Sequence, residues 1–208
     1  ALSRAYCNPG TLVAELCDKS GPDTYADGAF TGGQVLRDDD LYYVAADYSP
    51  RRRRAAERLG ADVVIDPAVE SPHARWEGFG VPTARAAQNM ARMMGRTFGR
   101  PIVFECVGSP GVLQSLIEAA PAGSQIVVAG VCMETDRIEP AIAITKEIEL
   151  TFVFGYTPEE FAATLHDIAE GRLDVGDVVT GKVGLDGVAQ AFKDLGDPEA
   201  HVKILVEP

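Results

Sequence analysis

The chain has 208 residues, 46% hydrophobic and 24% charged, the composition of an ordinary globular protein long enough to bury a core. Its 31 acidic against 19 basic residues leave a formal charge of −12, which argues against a nucleic-acid-binding surface, because that needs clustered positive potential. No apolar run approaches the roughly 20 residues of a membrane-spanning helix, and the opening ALSRAYCNPG lacks the basic-then-apolar pattern of a secretory signal.

The first 40 residues are Gly-, Asp- and Thr-rich, with TLVAEL and GGQVL as the candidates for order. From residue 41 strand and helix signals alternate. The apolar, aromatic-rich run 41–46 predicts a buried strand ended by Asp47. Ser49 as cap and Pro50 as first residue open a helix that stops at Gly60. Residues 61–66 form the next strand, closed by Pro67. Strand, helix and strand in about 25 residues is the rhythm of a parallel βαβ unit.

Residues 68–82 are turn-rich, and ARAAQNMARMMGR reads as an amphipathic helix. Residues 102–107 are a strand running into Gly108, 111–120 a helix, and 125–129 a strand followed by Gly130. A fifth strand, 149–154, is closed by Gly155. Thr157, Pro158 and Glu160 form a helix start of the capping-box type, and that helix ends near Gly171. Farther on, an apolar helix around Val188, Ala191 and Phe192 precedes a last strand at 203–207.

The strands are near-continuous apolar runs, as in sheets covered by helices on both faces. The expected fold is therefore α/β: a Rossmann-type, doubly wound, mainly parallel sheet. It spans residues 1–155, and a helix-strand-helix-strand tail follows over 156–208.

Candidate chemistry sits at the strand exits. An acid ending the second strand, here Asp47, can accept hydrogen bonds from an adenosine ribose, although such a residue is often only a cap. Arg51 to Arg54 oppose the dipole of the helix they open, which leaves either a solvated face or a contact to a nucleotide. Gly108, Gly130 and Gly155 either turn the chain or admit a flat ring close to the backbone. Neither Cys7, Cys17, Cys106 and Cys132 nor His73, His166 and His201 have metal-ligand spacing, so no metal site is expected from this chain. Reduced thiols in a cytoplasmic protein are the expectation.

The segments VAADYSPRRRRAAERLGADVVIDP, FECVGSPGVLQSLIEAAPAGSQIVVAGV and ELTFVFGYTPEEFAATLHDIAEGRLD, in that order, resemble the coenzyme domain of zinc-type medium-chain dehydrogenases such as alcohol, sorbitol and threonine dehydrogenases. The ending VTGKVGLDGVAQAFKDLGDPEAHVKILVEP resembles that family's tail, and ALSRAYCNPG its helix and Pro-Gly turn before the first coenzyme-domain strand. The resemblance implies NAD, with NADP as a second possibility, and hydride transfer between an alcohol and a carbonyl compound. It implies that Asp47 binds the ribose and Arg52 lies beside the adenine. It also implies that Val107 and Gly108 line the strand exit, and that Gly130, Val131 and Phe154 meet the nicotinamide end. A homodimer through the sheet edge around 135–153 is a further implication.

Two departures stand out. No G-x-G-x-x-G turn lies between Pro9 and Asp47; Gly21-Pro22 is the nearest remnant, and Asp23 and Asp27 beside it would repel a phosphate. The zinc-bearing catalytic half, which the family places upstream, is absent from these residues, so the chain is expected to be a piece of a longer protein with no catalytic residue of its own. A domain that binds little or no cofactor, or an S-adenosylmethionine methyltransferase, are the alternative readings. The last strand, which the family pairs within the catalytic half, is expected to be frayed, docked elsewhere on its own chain, or paired with another copy.

Overall fold

The computed structural model describes residues 13–18, 41–96 and 98–208. The readings placed on 1–10, on Gly21, Pro22, Asp23 and Asp27, and on 32–36 lie outside them. A six-stranded sheet has the order β3-β2-β1-β4-β5-β6, where β1 is Val13–Asp18, β2 Leu41–Ala46, β3 Val63–Ile65, β4 Ile102–Glu105, β5 Gln125–Val128 and β6 Glu149–Phe152. The pairs β2/β3, β4/β5 and β5/β6 are parallel, whereas β1 runs antiparallel to both of its neighbours. The mainly parallel α/β sheet is thus as expected, with the direction of its central strand reversed.

Local chemistry explains the connections. Ser49 Oγ accepts the Arg52 N–H at 3.2 Å and Pro50 occupies the first turn, so helix α1 (Pro50–Arg58) starts where the sequence places it. It buries Ala55 and Ala56, and Gly60 at φ +96° turns the chain into β3. Helix α2 (Arg85–Met93) buries Gln88, whose amide donates to the carbonyls of Pro82 and Ala122. Helix α3 (Val112–Ala119) links β4 to β5. The steps from β2 to β3 and from β4 to β5 run in opposite directions across the sheet, and right-handed crossovers of that kind put α1 and α3 on opposite faces.

One core cluster joins Val44, Ala46, Ile65, Val103, Ile126 and Val128 with Leu116 and Ile117 of α3; a second holds Ile102, Phe104, Cys106, Val127 and Ala129. The alternation of Ile102, Val103 and Phe104 between the two clusters is the strand period of two read in packing.

Two segments correct the expectation. The turn-rich stretch before α2 contains a 3₁₀ helix, Pro72–Phe79, capped by Ser71, and its Trp76 is fully buried in the first cluster. A helix that the sequence pattern did not announce, α4 (Pro140–Lys146), packs Ile142 and Ala143 onto the same cluster. The Lys146 ammonium caps the end of α3 by donating to the carbonyls of Ile117, Glu118 and Ala120.

Helix α5 (Pro158–Ala169) has the expected reciprocal capping box between Thr157 and Glu160. After it, β7 (Val179–Val183) and β8 (Lys203–Val206) form a separate parallel pair, with helix α6 (Val188–Asp194) between them. Thr180 Oγ1 accepts the N–H groups of Val202 and Lys203, and the Glu207 N–H donates to the Val183 carbonyl at 2.8 Å. The terminal strand has therefore found a partner on one side within its own chain. In α6 only Ala191 is buried, while Phe192 is 76% exposed. No helix among the described residues is long and apolar enough to cross a membrane.

Candidate functional site

Strand directions decide which residues meet. Ala46 of β2 lies opposite Val13, and Phe104 of β4 lies opposite Ala14, so the carboxyl ends of β2 and β4 share one edge of the sheet. Beyond that edge lie the exits carrying Asp47, Gly108 and, after β5, Gly130. The carboxyl end of β1 is elsewhere: Asp18 lies opposite Leu41, at the far edge. A phosphate-cradling turn leaving β1 toward a helix would need its end beside Asp47, and here it is not there.

Asp47 is 2% exposed. Its Oδ1 accepts the Ser49 N–H at 2.7 Å, while its buried Oδ2 has no hydrogen-bond partner, the nearest cation being Arg52 Nη1 at 4.0 Å. Burial pushes the carboxyl up to about 6, against the pull of the Ser49 N–H and of Arg52 and Arg53. Arg53 does a different job. It donates to the carbonyls of Asp47 and Tyr48 and pairs with Asp66 at 2.9 Å, tying the exit of β2 to that of β3.

The second part of the site is built around Glu105, buried at the end of β4. Its Oε1 accepts the N–H groups of Val107 and Gly108 at 2.6 and 2.8 Å, and its carbonyl accepts those of Ala129 and Gly130. Gly108 has φ +67°, and a Cβ there would come within 2.7 Å of the Val131 backbone. A Cβ on Gly130 would overlap the Gly108 nitrogen and come within 2.7 Å of Glu105 Oε2. These two glycines therefore serve each other: they let the exit loops of β4 and β5 touch backbone to backbone.

Of the candidate residues, Asp47 and Arg52 come together at one exit, and Val107, Gly108, Gly130 and Val131 at the next two. Phe154 lies two residues beyond β6 with its side chain 95% exposed, and Gly155 has open space where a Cβ would be. Sequence reasoning missed Glu105 and Glu199. The first had a signal, a lone charge inside the apolar run IVFECV. The second had none: Glu199 reaches Ser49 Oγ and the Arg51 N–H across about 150 residues of chain.

The mainly parallel sheet, its strand order and the buried acid at the second strand exit define a Rossmann-type α/β domain. Residues 32–170 match the zinc-binding dehydrogenase family, and the chain belongs to that family. It is 29% identical over 171 residues to the (R,R)-butanediol dehydrogenase of Bacillus subtilis (strain 168), covering 81% of this chain and 44% of that protein. The crystal structure of the 2R,3R-butanediol dehydrogenase from Bacillus subtilis superposes with a TM-score of 0.58 at 28% identity, over 79% of this chain and 43% of that one. Two further structures share the fold alone. An Escherichia coli CFT073 alcohol dehydrogenase complexed with NADH has a TM-score of 0.59 at 17% identity, over 77% of this chain and 43% of that one. A zinc-binding dehydrogenase from Sinorhizobium meliloti 1021 bound to NADP has a TM-score of 0.60 at 22% identity, over 79% and 44%. The chain spans less than half the length of these relatives.

The residues fit one end of a nicotinamide dinucleotide. The unpartnered, buried Oδ2 of Asp47 is an acceptor suited to a ribose hydroxyl, whereas the carboxyl end of β1 lies at the opposite edge of the sheet. Among the described residues no three His, Cys, Asp or Glu side chains converge to hold a metal.

Proposed function

We propose that this chain is the coenzyme-binding part of an NAD-linked, zinc-type alcohol or polyol dehydrogenase. The observation that supports it is Asp47: a nearly fully buried carboxylate at the carboxyl end of β2, held by one N–H and leaving its second oxygen without a hydrogen-bond partner. When bound, the nicotinamide would accept or donate the hydride. The chain's own residues bind and orient. Asp47 accepts a ribose hydroxyl, Arg52 flanks the adenine, and Val107 and Gly108 form the wall at the exit of β4. Gly130, Val131 and Phe154 face the nicotinamide end. The negative charge of Asp47 favours NAD over its 2′-phosphorylated form. The division between residues 1–155 and a tail over 156–208 agrees with the two separate sheets. Pairing of two copies along the outer edge of β6 belongs to the same proposal, as does a small alcohol or carbonyl compound as substrate of the whole protein.

A second reading has its own observation. With β1 antiparallel and no G-x-G-x-x-G motif in the sequence before Asp47, the domain holds the adenosine end and lets the pyrophosphate go, so that NAD binds weakly or not at all. Calorimetric titration with NAD, NADP and S-adenosylmethionine separates the readings. Saturable NAD binding that is lost in Asp47→Ala supports the coenzyme domain. No binding of NAD, or preferential binding of S-adenosylmethionine, overturns it.

A further inference from the structure

Beside Asp47, helix α1 presents an anion site that already has an occupant from the other end of the chain. Ser49 Oγ donates to Glu199 Oε1, and the Arg51 N–H donates to the same oxygen at 3.3 Å. Arg51 Nη1 grips the Glu199 carbonyl at 3.1 Å, and Ser49 Oγ also lies 3.3 Å from the Pro198 carbonyl. The Glu199 carboxyl is held below the usual carboxylate range by its hydrogen bond from Ser49, with the Arg51 N–H and the charge of Arg54 adding to it. The loop is preformed, since the Glu199 N–H is taken by Asp197 Oδ1 at 2.9 Å. A carboxylate thus offsets the positive end of a helix that opens with four arginines.

Ser49 is the hinge of the argument. Its N–H holds Asp47 Oδ1, while its hydroxyl holds Glu199. A dinucleotide whose ribose hydroxyl supplies the missing partner of the buried Asp47 Oδ2, with Arg52 moving aside to admit it, would carry any 2′-phosphate close to the Glu199 carboxylate. The donors available for such a phosphate are the Ser49 hydroxyl, the Arg51 N–H and the neighbouring guanidinium groups. Glu199 occupies the first two and adds a negative charge.

We propose that Glu199 is a specificity-determining residue of this site, an internal carboxylate standing where a 2′-phosphate would bind and so excluding 2′-phosphorylated dinucleotides. The proposal rests on the dinucleotide-binding reading above. It differs from a charge effect of Asp47 alone, because it makes the C-terminal segment part of the cofactor site.

Isothermal titration of the full chain and of Glu199→Gln and Glu199→Ala, with NAD, NADP and 2′,5′-ADP, tests it. The expected result is that the ratio of the NADP to the NAD dissociation constant falls at least tenfold in Glu199→Ala, and less in Glu199→Gln, whose amide still fills the space. 2′,5′-ADP should gain affinity in parallel, and Ser49→Ala added to Glu199→Ala should remove the gain. NAD binding with an unchanged ratio overturns this inference and leaves the dinucleotide reading standing. If no variant binds NAD or 2′,5′-ADP, both fail together.

Discussion

Asp47→Asn tests the site through stability as well as binding. Asp47 has a folded-state pKa raised from 3.8 to about 6, chiefly because its burial disfavours the charged form. A raised value means that the folded protein holds the proton more tightly than the unfolded chain does. The stabilising contribution is therefore present below about pH 4 and lost as pH rises through 6. Two pKa units correspond to about 3 kcal/mol between those limits. Asparagine keeps an oxygen for the Ser49 N–H and carries no charge, but its Nδ2 would face the Arg52 guanidinium where Oδ2 now lies 4.0 Å away. That donor-to-donor contact costs about 1 kcal/mol. The net expectation is a gain of about 2 kcal/mol at pH 7.5, or about 4–8 °C in the thermal midpoint for a chain of this size. At pH 4 the gain should vanish or reverse. Thermal unfolding of both proteins across pH 4–7.5 measures the difference directly. A difference that stays flat with pH would falsify the buried-carboxylate argument.

Binding should move the other way. Asp47→Ala is expected to weaken NAD by about 1–3 kcal/mol, the worth of a hydrogen bond to a charged acceptor, and wild-type affinity measured by calorimetry should rise as pH passes about 6. Equal affinity in the variant would remove Asp47 from the site. Gly130→Ala would force a Cβ against the Gly108 nitrogen and Glu105, and should cost about 1–3 kcal/mol of stability in urea unfolding; a variant as stable as wild type would show that the two exit loops do not touch. Thr180→Ala removes the acceptor for Val202 and Lys203 and should cost about 1 kcal/mol. Hydrogen exchange should show protection at the Glu207 amide in the wild-type monomer, and fast exchange there would mean that β8 is not paired with β7.

Much of the frame was legible because it is written in short-range chemistry. The apolar runs at 41–46, 102–105, 125–128 and 149–152 are strands, as short apolar runs bounded by turn residues suggest, although β6 is buried only in part. Ser49-Pro50 and Thr157-Pro158-Glu160 start helices because the capping groups lie within three residues of the donors they satisfy. Asp47 was identifiable because it ends such a run. What stayed hidden depends on distance or direction. A strand's sequence carries its faces but not its orientation, so the reversal of β1, which moves its carboxyl end away from Asp47, required the pairing register. Trp76 sat among turn residues, and its burial is decided by the core it plugs. The mutual packing of Gly108 and Gly130 depends on two exit loops brought together by neighbouring strands. Glu199 illustrates this most fully: nothing within its own segment marks it, and it meets Ser49 and Arg51 only because folding carries it across about 150 residues to the positive end of α1.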